Sequence, residues 1–533
     1  MRDHLDWTYD PKQYGDLPGI VQDLHAHGQH YVMIVDPGIS NQQPKGTYPP
    51  YEDGLAQQVF IMNEKGNAPL EGVVWPGKTV YPDFTNPATQ DYWFYQASLF
   101  HQRVAFDGLW TDMNEPSDFV AGSTTGCEAN NLTNPPYIPK ILDGKLAAKT
   151  ICPGAQQNLS IHYNLHSMYG HFEVIATQKA LQKIRKKRSL VITRSSFPGT
   201  GHFGGHWSGD NQALWSHLYY SIPFILNFQM FGISQVGSDI CGFIGETTEE
   251  LCTRWMQVGA FYPFMRNHNT IGTKDQDPAV FSSGAQDAMR EALVIRYTLL
   301  PYLNTLFYHS HIEGTGVVQP LMYMYPKDTQ TYAIDKQFMW GSGLMISPVL
   351  DQGQTEVRAY FPDDTWYDYY TGEPVPGGHT ILLSAPLEKI NLHVRGATII
   401  PTQPPGGATT TTYARMQPFS LIVALIEVGY ANGDLYWDDG ESLDAVENGK
   451  YTYITFQGSL RPNQIKSTVV KAGYAPSAGM KLGSVKVMGV PAPPGDVTIN
   501  GVKAMFKYNE NAKMLDITNL NWDLMKPFTI IFN

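Results

Sequence analysis

Five short apolar runs in the first half of the chain each close on a charged residue. Residues 31–35 (YVMIV) run into Asp36-Pro37, and 106–111 into Asp112. Residues 190–193 (LVIT) run into Arg194, 235–238 into Asp239, and 261–265 into Arg266. Stretches of helical period, such as 161–184 and 212–228, lie between them. Continuous apolar strands alternating with helices predict an α/β fold whose parallel sheet is covered on both faces. Polar groups at the carboxyl ends of successive strands are where a (β/α)8 barrel carries its chemistry, whereas a doubly wound sheet gathers ligands at one switch point. Five such ends, together with the HWSGD turn that reaches Asp210, favour the barrel.

The pattern changes along the chain. A long helical segment over 285–312 is expected to close the barrel, kinked at Pro301. Beyond Gly316 short alternating runs separated by Pro-Asp-Asp, Thr-Gly and Pro-Gly-Gly turns predict two C-terminal β-sandwich domains. The predicted division is a catalytic barrel at 1–317, with inserted loops at 37–90 and 117–160, a proximal β domain at 318–402 and a distal one at 403–533. Residues 403–412 (QPPGGATTTT) read as a loop or linker between two such β units. The five basic residues of 183–188 read as a helix C-terminus facing the macrodipole.

Composition excludes several classes. Lys plus Arg is 37 against 49 Asp plus Glu, a net charge of −12, which opposes nucleic-acid binding. The longest apolar stretch, 421–426, is far too short to span a bilayer. Aromatics make up 12% of the residues, which suits flat sugar rings and a Tyr-rich core equally. Cys127 and Cys152 flank a loop rich in Asn, Pro and Gly, with N-x-[ST] sequons at Asn131 and Asn158; Cys241 and Cys252 bracket a second short segment. Together these favour an oxidising, glycosylating compartment: the secretory pathway, with a secreted, cell-surface or lysosomal/vacuolar destination. Met1 opens onto polar sequence, so a leader is expected to lie upstream of this chain.

The chemistry concentrates in two segments. Gly108-Leu-Trp-Thr-Asp-Met-Asn-Glu-Pro sets Asp112 at a strand end beside Trp110, with Glu115 three residues on. Gly205-His-Trp-Ser-Gly-Asp ends in Asp210 beside Trp207. Two carboxylates on different strands, each flanked by an indole, match what glycoside hydrolysis needs. Three other motifs carry less. Residues 199–204 match G-x-G-x-x-G but run into HWSGD rather than a helix, His162 and His166 lack a third ligand, and Asp438-Asp439-Gly-Glu441 reads as a turn. No metal centre and no cofactor is expected.

At these residues the sequence resembles glycoside hydrolase family 31, in its branch of lysosomal acid α-glucosidases, maltases and sucrase-isomaltases. The family's Trp-x-Asp-Met-Asn-Glu stands at 110–115 and its His-Trp-[ST]-Gly-Asp at 206–210. Val-Trp-Pro-Gly at Trp75, Ile-x-Arg-Ser at Arg194, Val-Gly-x-Asp-x-Cys-Gly-Phe at Asp239 and Phe243, and Met-Arg-Asn-His-Asn at His268 follow the same pattern. The resemblance implies a retaining exo-acting α-glucosidase that releases glucose from the non-reducing end of α-1,4-linked oligosaccharides or polysaccharides. Asp112 would be the nucleophile, Asp210 the acid/base, and Glu115 an orienting carboxylate. Ile34, Trp75, Trp110, Met113, Trp207 and Phe243 would wall the glucose site, with Arg194, Asp239 and His268 on its hydroxyls. It also implies the pairs Cys127–Cys152 and Cys241–Cys252. Alternatives are an α-1,6-active or transglucosylating member, or an inactive carbohydrate-binding fragment, although the latter would be expected to have lost one of the two carboxylates. Nothing in the sequence sets the oligomeric state. Met1 falls just after the family's Asp-Leu-Asp-Tyr motif, so barrel strands one and two and an N-terminal β-sandwich are expected outside this chain, which alone would be insoluble or inactive.

Overall fold

The computed structural model describes residues 1–476 and 479–533. It divides into two compact units, residues 1–207 and 208–533. The statements below concern the described residues of each unit separately.

In the first unit four parallel strands follow one another: β1 (Val32–Val35), β2 (Gly108–Thr111), β3 (Val191–Thr193) and β4 (Gly205–Trp207). Helix α1 (Leu17–Ala26) leads into β1, α2 (Pro87–His101) into β2 and α3 (Tyr169–Arg185) into β3. Helix α2 starts at Pro87, pre-set for a first turn, and the Asn86 side chain accepts from the Ala88 N–H. It packs on α3, where the fully buried Trp93 donates its indole N–H to Thr177 Oγ1 at 2.9 Å. Met33, Val35, Leu109 and Val191 join Trp93, Phe100, Val174 and Leu181 in one core. Burying each such large side chain contributes about 2 kcal/mol. Helix α3 ends with Lys186 in the left-handed region at φ 55°, and Arg185 turns back to the Asp107 carboxylate at 2.7 Å. The cysteines of the 117–160 loop form the disulfide Cys127–Cys152, with Cα atoms 5.5 Å apart.

In the second unit helix α4 (Trp215–Met230) leads into two short strands, β5 (Val236–Gly237) and β6 (Asp239–Ile240). Helix α5 (Glu249–Gly259) follows, and β6 pairs in parallel with β7 (Arg266–Asn267). The strand expected over 261–265 is absent; regular pairing starts at Arg266. The apolar run serves the core instead: Phe261 and Tyr262 are fully buried in the turn that ends α5. Arg296 satisfies that turn, donating to the Ala260 and Tyr262 carbonyls at 2.7 Å each. The single kinked helix expected over 285–312 is two helices, α6 (Ser283–Thr298) and α7 (Leu300–Glu313), because Pro301 lacks the N–H that would continue the first.

Beyond α7 the chain is β-rich. Strands between Val318 and Arg395 form a six-stranded sheet and a separate pair, and a 12-stranded sheet follows. The segment 403–412 is not a linker between two sheets. Ala397–Thr402 pairs antiparallel with Phe419–Ala424, so the loop joins neighbouring strands of one sheet. Helix α7 lies against this sheet. Tyr308 stacks on Tyr436 with centroids 4.4 Å apart, and Thr305 Oγ1 accepts the Tyr436 N–H. His309 Nε2 lies 2.6 Å from Asp434 Oδ2, and His311 Nε2 2.9 Å from Glu447 Oε1.

Candidate active site

In the first unit the parallel register aligns the strand ends. Val35 lies opposite Thr111, and Thr111 opposite Thr193. The ladder runs one residue further: Asp112 N donates to Val35 O and Arg194 N to Thr111 O, both at 3.1 Å. Asp36, Asp112 and Arg194 therefore leave the sheet side by side.

Arg194 is the hub. Its Nη1 sits 2.8 Å from Asp112 Oδ1, while Nε and Nη2 fork onto Glu115 Oε1 and Oε2 at 2.9 and 3.1 Å. Nη2 also meets Met113 Sδ at 3.1 Å. The guanidinium is thus shared by two carboxylates, which fixes the orientation of both. Met113 adopts φ 56°, uncommon for a side chain of its size, and its N–H donates to Asp112 Oδ1 at 2.7 Å. The fully buried Asn114 pins this turn. Its amide donates to Thr193 Oγ1 at 2.8 Å and Thr111 Oγ1 at 3.3 Å, and its carbonyl accepts the Ser195 N–H at 2.8 Å. Trp110 and Trp207 meet edge to face at 5.3 Å. Ile34 is half-buried on β1; Trp75 lies on the surface, edge to face with Phe119 at 4.9 Å.

Three further carboxyls belong to this cluster and were not named as site residues from the sequence. Asp36 and Asp6 are buried, and Asp36 N donates to Asp6 Oδ1 at 3.0 Å. Burial pushes Asp36 up to about 7, helped by the Asp112 charge and opposed by Arg194. Burial, then the Asp36 charge, holds Asp6 well above the carboxylate range. Glu173 on α3 is fully buried and raised for the same first reason. Burial is the leading cause for all three and favours their protonated forms. Only Asp36 had a sequence signal, the charged end of an apolar run. His206 shares the interior: Nδ1 bonds Thr193 O at 2.9 Å, and burial lowers the ring to about 4.

The second unit holds the other candidates. Asp210 is exposed and follows Gly209 at φ 69°. Asn211 ties its turn to the segment after β6: its amide donates to Asp239 O at 2.9 Å, and its side-chain carbonyl accepts the Phe243 N–H at 2.9 Å. Sequence reasoning passed over Asn211, which carries no charge or motif emphasis. Asp239 is buried and accepts from Arg266 Nη2 at 2.6 Å. Gly242, at φ 90°, passes so close to Ala213 that a Cβ would lie 2.3 Å from its Cα, so only glycine fits there. The Cys241–Cys252 disulfide closes the same loop, Cα atoms 4.5 Å apart. Phe243 stacks on His268 at 5.1 Å, and burial, then Arg266, lowers His268 to about 4.

The remaining motifs are structural. Residues 200–202 form a single 3-10 turn that runs into β4 rather than a helix. His162 and His166 bond each other at 3.0 Å. Asp439 caps its own turn by accepting from the Glu441 and Ser442 N–H groups. Asn131 and Asn158 are both exposed. Among the described residues no helix is long and apolar enough to cross a membrane.

Residues 1–306 match the model of the glycosyl hydrolases family 31 TIM-barrel domain, and 314–400 that of the family 31 C-terminal domain. The chain is 48% identical over 532 residues to the lysosomal alpha-glucosidase of Mus musculus, covering 96% of this chain and 55% of that protein. It is 45% identical over 545 residues to intestinal sucrase-isomaltase of Homo sapiens, covering 100% of this chain and 30% of that one. The chain thus spans about half or less of these curated relatives. The crystal structure of a glucosidase II alpha subunit superposes with TM-score 0.88 at 27% identity, over 99% of this chain and 57% of the other. The matches describe one architecture, a TIM-barrel domain followed by a β-rich C-terminal region.

Proposed function

The chain belongs to glycosyl hydrolase family 31, and from that premise we propose that it serves a retaining exo-α-glucosidase. The substrates are α-1,4-linked gluco-oligosaccharides, from which glucose leaves at the non-reducing end. The observation that carries this reading is the Arg194 clamp, which holds the Asp112 carboxylate at the strand end where a nucleophile would stand. In the first displacement an Asp112 oxygen bonds to the anomeric carbon while the glycosidic bond breaks, and Asp210 gives its proton to the leaving oxygen. In the second, Asp210 takes a proton from water, whose oxygen bonds to the anomeric carbon and releases Asp112. Glu115 shares Arg194 and so sets the angle at which the guanidinium meets Asp112. Ile34, Trp75, Trp110, Met113, Trp207 and Phe243 would offer apolar faces to the sugar ring, and Arg194, Asp239 and His268 would meet its hydroxyls. The two disulfides, the exposed sequons and the lysosomal and intestinal names of the relatives support a place in the secretory pathway.

Proton NMR of maltose hydrolysis by the full-length protein tests the reading. The first glucose released is expected as the α-anomer; initial β-glucose would overturn retention. Asp112→Asn should abolish turnover while the protein remains folded by circular dichroism. Asp210→Ala should spare aryl glucosides with good leaving groups. Near-normal maltose turnover by Asp112→Asn would refute the assignment.

A further inference from the structure

A second cluster lies at the opposite, amino-terminal ends of β1 and β2, away from the residues assigned above. His25 stands in the last turn of α1, His30 precedes β1 and Asp107 precedes β2. His25 Nε2 lies 2.8 Å from Asp107 Oδ2, and His30 Nδ1 3.5 Å from Oδ1. The three ligand atoms fall within 4.8 Å of one another.

The carboxylate is held in place before any ligand arrives. Tyr31 N donates to Oδ2 at 2.8 Å, and Arg185 donates to Oδ1 at 2.7 Å and to the Asp107 carbonyl at 2.8 Å. Such outer contacts orient ligating carboxylates in metal sites. The two imidazoles reach solvent, with side chains 34% and 54% exposed, so an ion has a route in. The third histidine of the HAHGQH run, His27, turns back on its own helix, Nδ1 to Asp23 O at 2.9 Å.

We propose that His25, His30 and Asp107 bind one divalent transition-metal ion of the zinc class, with water in the fourth position. The donor set selects the metal. Two imidazole nitrogens and one carboxylate suit zinc, whereas calcium and magnesium need several oxygen ligands. Arg185 offsets the Asp107 charge, so the site attracts a cation through nitrogen lone pairs rather than through net negative charge. Tetrahedral coordination at about 2.0 to 2.1 Å brings ligand atoms to about 3.4 Å apart. The half-exposed His30 ring closes that gap by moving about an ångström. Coordination through His25 Nε2 uses the neutral tautomer that carries its proton on Nδ1. The ion would staple α1 to the leading ends of two parallel strands.

The test uses chelator-stripped protein with its full chain. Titration with Co2+ is expected to give the visible absorption of a four-coordinate centre at one equivalent, displaced by Zn2+ and unaffected by excess Ca2+ or Mg2+. Zn2+ should raise the melting temperature of the wild type. His25→Asn/His30→Asn, which keeps polar partners for Asp107 and so the fold, should weaken Zn2+ binding about tenfold or more and erase both signals. Circular dichroism confirms that the variant is folded. Absence of Co2+ or Zn2+ uptake by the wild type, or equal uptake by the double variant, would overturn the assignment.

Discussion

Asp36→Asn should stabilise the protein, and by an amount that grows with pH. The folded Asp36 carboxyl holds its proton to about 7, against an ordinary 3.8. Well below pH 3.8 both states carry the proton and the side chain adds nothing to the pH dependence. As pH rises, the unfolded chain releases it first while the folded chain still binds it. The folded state then holds more protons than the unfolded one, so stability falls with rising pH. The interval 7 − 3.8 is about 3 pH units at about 1.4 kcal/mol each, or about 4 kcal/mol in all. Asparagine has the same shape and never ionises, which removes this loss. Urea unfolding of both proteins between pH 4 and 8 should show a difference that starts small and rises to a plateau above pH 7. Any hydrogen-bond change from the amide adds a constant offset and leaves the slope alone. A difference flat across this range, or one that shrinks with pH, would show that Asp36 is ionised in the folded protein and refute the reasoning.

Asn114→Ala removes three hydrogen bonds, two of which tie the turn after β2 to Thr193 and Ser195, and should destabilise by about 3 kcal/mol in chemical denaturation. Cys241→Ala/Cys252→Ala opens an 11-residue loop and should lose about 3 kcal/mol; reductant should then have a smaller further effect than on the wild type. His309 is raised by its bond to Asp434. A raised histidine stabilises fully below its unfolded value and loses that contribution as pH climbs through the folded one. His309→Asn should therefore lose about 1 kcal/mol at pH 5.5 and almost nothing at pH 8.5, as thermal melts would show.

The legibility of the sequence followed which residues solvent and backbone geometry constrain in common. Apolar runs that end in a charge located Asp36, Asp112, Arg194 and Asp239 at strand ends, because parallel strands are buried until their last residue. The same rule misread residues 261–265. Apolarity reports burial, and Phe261 and Tyr262 are buried in a turn whose carbonyls Arg296 satisfies. Residues 403–412 look like a linker because Pro, Gly and Thr report local backbone freedom, which says nothing of the sheet on either side. Glu173 and Asp6 were invisible for a deeper reason. A buried carboxyl and a solvated one are the same letter, and only the closed fold around them determines who keeps a proton.

Helix α7 gives the chain's modular boundaries a different meaning. The two family matches end and begin at residues 306 and 314, so the border between them falls within this helix. Yet its Tyr308, His309 and His311 are seated on the strands and loops of the 12-stranded sheet. Severing the polypeptide at that border would strip the sheet of a stacked ring and two ionic contacts while ending the preceding segment in an unravelled turn. The seam visible to family comparison is therefore a splice, glued by side chains on both sides. A shorter derivative meant to carry the sheet alone should begin before Leu300.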